Sequence, residues 1–234
     1  MDIYYIIIKL IFRVFHLLLS QKCRVNGEYP VRPGPKIIAG NHPNATDGFY
    51  LPSLFQEKLY FFAQGDLFSI PFFGWLLAKS GQIQVNPERK KAALDQAVEL
   101  LMQGKTVAIF PEARLNPDGQ AVKSSTGAVR LSLMTKAPII PIGFYVPPEN
   151  LHHIVRMKKG QVSQGHWQTH GHCYLHIGSP WLPCEEIGES VEQADLRELT
   201  DRLMEKINTQ ASLAMQEYTN ETGLPAEVSS FEEP

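Results

Sequence analysis

His42 precedes Asp47 by five residues in the stretch GNHPNATDGFY, residues 40–50. A histidine titrates near neutral pH and can act as a general base. A carboxylate bonded to one imidazole nitrogen fixes the tautomer and leaves the other nitrogen to take a proton, the base-and-orienter half of a hydrolase triad. On a continuous helix, five residues turn through about 500°, which sets the two side chains on different faces. The pair can therefore meet only across a turn. Pro43 disfavours helix at His42, and the run HPNAT supplies the reversal, so Asp47 falls at the start of a following helix. The same residues also suit a plainer reading, in which Asp47 or Thr46 caps a helix and His42 packs.

Other stretches carry charge at the ends of apolar runs. TVAIFPEAR, residues 106–114, ends in Glu112 and Arg114. Arg114 can clamp a phosphate bidentately, and Glu112 can hold that arginine or accept from a substrate hydroxyl. A surface ion pair would read the same way. Lys123, Thr126 and Gly127 lie in KSSTG, where a cation, hydroxyls and backbone amides can receive an anion or simply begin a helix. Arg89 follows GQIQVNP with Lys90 and Lys91, either near a site or as a solvated first turn. His166, His170, His172 and His176 form a histidine-rich stretch, but no carboxylate joins them nearby, so no metal is expected. There is no G-x-S-x-G elbow and no well-placed nucleophilic cysteine.

These residues need elements to hold them. Short, continuously apolar runs predict strands at 35–41, 59–64, 83–85, 106–110, 138–144 and 173–178, covered on both faces. Helical patterns lie between them. One starts at Asn86 and Pro87 and stops at Gly104; a second runs over about residues 126–136. The last starts at Ser190 with Gln193 in capping-box position and carries Leu199, Leu203 and Ile207. Strand–helix alternation predicts a single α/β domain with a central, mostly parallel sheet flanked by helices.

The chain has 234 residues, is 44% hydrophobic and has a formal net charge of −2, so it can bury a core and shows no basic footprint for nucleic acid. Its three cysteines, Cys23, Cys173 and Cys184, suggest no disulfide framework and fit a reducing, cytosol-facing compartment. Residues 3–19 are almost wholly apolar, with Lys9, Arg13 and His16 on one helical stripe. An amphipathic helix lying in a membrane interface suits that pattern better than a spanning one, and packing on the protein's own core is the alternative. The apolar stretch at 67–77 is a second place for lipid contact or core. Expected divisions are an N-terminal membrane-associated helix (1–22), an α/β domain (23–185), and a C-terminal helix with an acidic tail (186–234). The stretch from 147 to 171, with Arg156, Lys158 and Lys159, reads as a loop facing anionic lipid or water.

In this order the motifs resemble the PlsC-type glycerophospholipid acyltransferase family, whose best-known members acylate 1-acylglycerol-3-phosphate. Asn41, His42 and Asp47 match its N-H-x-x-x-x-D block, and Phe110, Pro111 and Glu112 its F-P-E-G block, with Ala113 in the glycine's place and Arg114 taking the arginine's role one position early. GQIQVNP resembles the second block with Pro87 where an arginine would be, and Ala137 to Ile142 resembles the fourth. The resemblance covers about residues 25–180. It implies that His42 deprotonates an acceptor hydroxyl, which attacks the thioester of acyl-CoA or acyl-carrier protein, with Asp47 orienting the imidazole. It also implies substrate binding by Asn41, Glu112, Arg114, Arg89, Lys123, Thr126 and Gly127, no cofactor beyond the acyl donor, a lysophosphatidic-acid-like acceptor, and a place at the cytoplasmic face of a membrane. Another acceptor (glycerol-3-phosphate, another lysophospholipid or a lipid amine) and a non-catalytic lipid-binding protein remain the alternatives.

Overall fold

Strands rich in Ile, Val and Ala that are buried on both faces must stack in the middle of the molecule, and the central three do. In a computed structural model, every residue is described except 1, 30, 32, 118–121, 159–160, 187–192 and 226–234. The strands are β1 (Gln21–Gly27), β2 (Lys36–Gly40), β3 (Leu59–Gln64), β4 (Ile83–Val85), β5 (Thr106–Ile109), β6 (Ile139–Tyr145), β7 (Leu151–Lys158), β8 (Gln161–Gln168) and β9 (Gly171–Ile177). Seven form one sheet in the order β1-β9-β6-β2-β5-β3-β4. Only the β6–β9 pairing is antiparallel, so β2, β3, β4, β5 and β6 all point their C-terminal ends to one edge.

The helices are α1 (Ile3–Leu18), α2 (Asp47–Leu54), α3 (Phe73–Lys79), α4 (Lys90–Met102), α5 (Gly127–Thr135) and α6 (Gln193–Thr222). Alternation along β2 divides the core. Ile37 and Ala39 face a cluster with Val107, Leu131, Leu203 and Ile207, while Ile38 faces Tyr50, Leu51, Ile140 and Phe144. α6 lays Leu199, Leu203, Ile207, Ala214 and Tyr218 along the sheet. Gly143 on β6 lets it come close, since a Cβ there would stand 1.9 Å from the Ala211 backbone nitrogen.

α1 is part of this body. Tyr5, Ile8 and Phe12 are buried, the Tyr5 hydroxyl accepts from Leu59 N–H at 3.0 Å, and the Phe12 ring stacks on Phe49 at 4.3 Å. Lys9 and His16 of the polar stripe find protein partners, while Arg13 is exposed. Lys9 Nζ reaches Phe55 O at 3.5 Å, and His16 Nδ1 lies 2.8 Å from Gln21 Oε1. Polar groups at the margin of a packed helix face find protein partners there, and the outer face is aliphatic apart from Arg13.

Other expectations shift in detail. Asn86 does not cap α4 with its side chain; a 3-10 turn at Pro87–Arg89 comes first. The expected start of α6 at Ser190 lies outside the described residues. The stretch read as a loop contains the β7–β8 hairpin, and β1 joins the sheet edge beside β9. Both are polar or alternating strands without the continuous apolar run that marks a doubly covered strand.

Gly143→Ala is expected to lower stability by about 3 kcal/mol, because the new methyl meets backbone that cannot give way. The midpoint of urea unfolding measures this, and an unchanged midpoint would mean that α6 is not seated against β6 as described.

Candidate active site

β2 delivers its chain to the C-terminal edge of the sheet, where Asn41 leaves it. The Asn41 side chain donates to Phe144 O at 2.9 Å and accepts from Phe144 N–H at 2.7 Å. Both bonds close on the backbone of β6, so Asn41 clamps two strands. The chain then turns through residues 43–46, and Asp47 opens α2. His42 Nδ1 lies 3.0 Å from Asp47 Oδ2, across the turn.

Asp47 is wholly buried. Burial pushes its carboxyl above the usual range, while His42 and the Asn44 backbone and side chain pull it back down by donating hydrogen bonds. Its place in the first turn of α2 adds a favourable field for negative charge. The His42 side chain keeps 21% of its surface exposed and lies flat on Phe110, with centroids 4.1 Å apart. Its Nε2 makes no hydrogen bond with any described residue. One nitrogen is therefore committed to a carboxylate and the other is open to a reactant.

The end of β5 is tied to the same loop. Glu112 accepts from His42 N–H at 3.3 Å and from Asn116 Nδ2 at 3.2 Å, and Asn116 N–H donates to His42 O at 2.8 Å. Burial pushes the Glu112 carboxyl up, and these donors oppose the shift. Glu112 thus fastens two loops, and no ion pair joins it to Arg114 among the described residues. Arg114 is exposed on the same loop, two residues from the Asn116 bond to His42. The 123–127 segment is joined to this loop by Ser125 N–H donating to Pro111 O at 2.8 Å. Thr126 caps α5 without a side-chain bond, the Gly127 N–H is taken by Ser125 Oγ at 3.3 Å, and Lys123 is exposed.

Arg89 stands apart. It follows β4, the outermost strand, three strands from β2 and hence about 14 Å away. The histidine-rich stretch is also divided: His166 stacks on His153 across the hairpin, whereas His176 bonds Gln210 from the main sheet. Asn44 and Asn116 are contributors that the sequence reading passed over, and Phe110, matched there only as part of the F-P-E block, stacks on the His42 ring; the visible signal for Asn44 was an asparagine three residues before an aspartate inside a turn.

The molecule is thus an α/β protein with a histidine–aspartate pair at the C-terminal edge of a mostly parallel sheet and an arginine-bearing loop beside it, the edge where open α/β sheets hold ligands. The profile of the acyltransferase family matches residues 22–145, just over half of the chain, and the chain belongs to that family. It is similar to the 1-acyl-sn-glycerol-3-phosphate acyltransferase of Pseudomonas aeruginosa, with 34% identity over 122 residues, 50% of this chain and 47% of that protein. It is also similar to the lyso-ornithine lipid O-acyltransferase of Rhizobium meliloti, with 29% identity over 131 residues, 54% of this chain and 44% of that protein. The chain thus spans about half the length of these relatives. In fold it resembles the crystal structure of the 1-acyl-sn-glycerophosphate acyltransferase PlsC from Thermotoga maritima, with a TM-score of 0.64, 22% identity and coverage of 89% of this chain and 79% of that one.

Ala113 stands in the place of the family block's glycine and has φ +57°. A left-handed conformation costs a residue with a Cβ about 1–2 kcal/mol. Ala113→Gly is therefore expected to raise stability by about 1 kcal/mol, after the extra unfolded-state freedom of glycine is counted. A denaturant midpoint that does not rise would show that the loop carries no such strain.

Proposed function

We propose that the protein is an O-acyltransferase that moves a fatty acyl group from acyl-CoA or acyl-carrier protein to the hydroxyl of a lysophosphatidic-acid-like acceptor. The observation that carries this reading is the His42 ring, bonded at Nδ1 to buried Asp47 and open at Nε2. His42 Nε2 takes the proton from the acceptor hydroxyl as its oxygen attacks the thioester carbonyl. The tetrahedral intermediate expels the thiolate, which recovers that proton from the imidazolium. The ester forms, the thioester breaks, and no acyl-enzyme is needed. Asp47 keeps the proton on Nδ1 before the reaction and balances the imidazolium during it. Arg114, exposed beside this loop, is the favoured phosphate ligand, with Lys123 next.

A second reading changes only the acceptor. Pro87 removes the arginine of the second block, and Arg89 sits at the far edge of the sheet. Both favour a head group other than a simple phosphate monoester, and one similar protein is named for lyso-ornithine lipid.

The acceptor would be met at a lipid surface, on the cytoplasmic side if the reduced cysteines report the compartment. No helix of the described residues is long and apolar enough to cross a membrane. The outer face of α1 exposes Ile3, Ile6, Leu10, Leu17 and Leu18. Phe72 and Trp75 continue this apolar face, with Trp75 edge-on to Tyr4 at 5.4 Å. Phe72 is 62% exposed at φ +63°, a conformation held against steric cost that turns an aromatic ring outward. Phe12 and Phe15, on the packed side of α1, touch Phe49, two residues past Asp47, so α1 stands beside the proposed catalytic turn.

Two measurements test the reading. With acyl-CoA or acyl-carrier protein and a panel of lysophosphatidic acid, glycerol-3-phosphate, another lysophospholipid and lyso-ornithine lipid, His42→Ala should cut acyl transfer by about 10³-fold while folding survives. Equal thioester consumption by parent and variant would refute the base assignment, and the preferred acceptor decides between the two readings. In sedimentation with phosphatidylglycerol-containing vesicles, Leu17→Asp with Trp75→Asp should weaken binding at least about tenfold, given about 1.5–3 kcal/mol per buried apolar side chain. Unchanged binding would place the lipid contact elsewhere.

A further inference from the structure

Asn44 lies inside the turn between the proposed base and its carboxylate and is wholly buried. Its backbone N–H donates to Asp47 Oδ2 at 2.8 Å, and its side-chain Nδ2 donates to Asp47 Oδ1. Asp47 thus receives three donors, two of them from this one residue. The orientation of the amide is settled by its other end, since the Thr46 backbone N–H reaches Asn44 Oδ1 at 2.8 Å and the Thr46 hydroxyl bonds the same atom. A backbone N–H can only donate, so the atom it faces is the oxygen and the NH₂ faces Asp47. We infer that Asn44 is a positioning residue for the proposed reaction, one that holds the Asp47 carboxylate ionised and aimed at His42 Nδ1 although water is excluded from it.

The alternative is that Asn44 only shapes the turn. Both roles use the Thr46 bonds, but only the positioning role uses Nδ2 against the carboxylate. The surroundings make that donor matter. Besides His42, the titratable groups close to Asp47 are Glu112 from the β5 loop, Tyr50 from α2 and Cys173 from β9. None of these supplies a positive charge. Glu112 is itself a carboxylate, and its nearness favours protonating one of the two acids. Stabilisation of a buried carboxylate here therefore falls to hydrogen bonds, and removing a donor makes the His42–Asp47 pair hold its proton more tightly. The sign is the same whichever member takes the proton. An unsupported Asp47 is more basic, and a more basic Asp47 also draws the proton on His42 closer.

The inference rests on His42 as the base, and the test separates the two. Asn44→Ala removes the side-chain donor but leaves the backbone one; Asn44→Ser keeps a shorter donor that can still bridge Thr46 and Asp47. The expected result is a fall in kcat of about tenfold or more at neutral pH with KM little changed, less than the about 10⁴-fold that follows loss of a triad carboxylate. The acid limb of the kcat/KM profile should move to higher pH, with Asn44→Ser between the alanine variant and the parent. An NMR titration of the His42 ring in the same proteins reads the pair without relying on turnover, and it should move upward in the same order. If the ring titrates at the parent value in both variants, Asn44 is only a turn residue and the inference is overturned, whatever the activity does. If the titration moves as expected but His42→Ala keeps full activity, Asn44 still holds the pair and the base assignment alone has failed.

Discussion

A carboxylate taken fully out of water is the constraint on which the site depends. Left alone, an ionised Asp47 would cost several kcal/mol, and the group would protonate instead. The turn from His42 to Asp47 answers this by closing donors around the carboxylate: an imidazole nitrogen, a backbone amide and a side-chain amide. Each donor is within five residues of Asp47, so a small turn can carry its own buried charge. This explains why two residues on opposite helical faces in the linear pattern come together: the turn is wound around the acid.

A turn of that kind works only if its ends cannot move. Five bonds to other elements hold it: the Asn41 side chain to Phe144 O and N–H, Glu112 to His42 N–H, Asn116 N–H to His42 O, and Ala45 N–H to His166 O at 2.8 Å. They come from β6, the β5 loop and the β8 hairpin. Glu112 and Asn41, which sit in the motif blocks, thus bond the scaffold of neighbouring strands. A buried carboxylate or amide takes the nearest unpaired backbone groups, and at the end of a parallel sheet those are the last N–H and C=O of the neighbouring strands.

The N-terminal helix shows the same economy in apolar form. Its aromatic residues and Ile8 pack against α2, α3 and β3, and Ile3, Ile6, Leu10, Val14, Leu17 and Leu18 are left outside. The exposed face is therefore mostly aliphatic, with Arg13 as its charged member. The inner face of the N-terminal helix stacks Phe12 on Phe49, on the helix that Asp47 opens, so α1 is fixed beside the turn that carries the histidine–aspartate pair.

The sequence by itself determined the alternation of strands and helices, the positions of the six continuously apolar strands, and the placing of His42 and Asp47 across a turn. These follow from local periodicity and turn chemistry, which the linear order carries. Only the tertiary structure decided what the partners of each polar group are. β1 is stabilised by pairing with β9, far along the chain, while β7 and β8 pair with each other outside the main sheet; neither case needs the continuous apolar run that marks a doubly covered strand. Arg89 looked near the site because β4 ends in a basic run, but strand order, not sequence distance, puts it three strands away. Asn44 looked like a turn former and is one; that its amide faces a buried carboxylate depends on the Asp47 side chain folding back over the turn, which nothing in the one-dimensional spacing specifies. Composition and periodicity say which groups must be satisfied, and the three-dimensional closure says by whom.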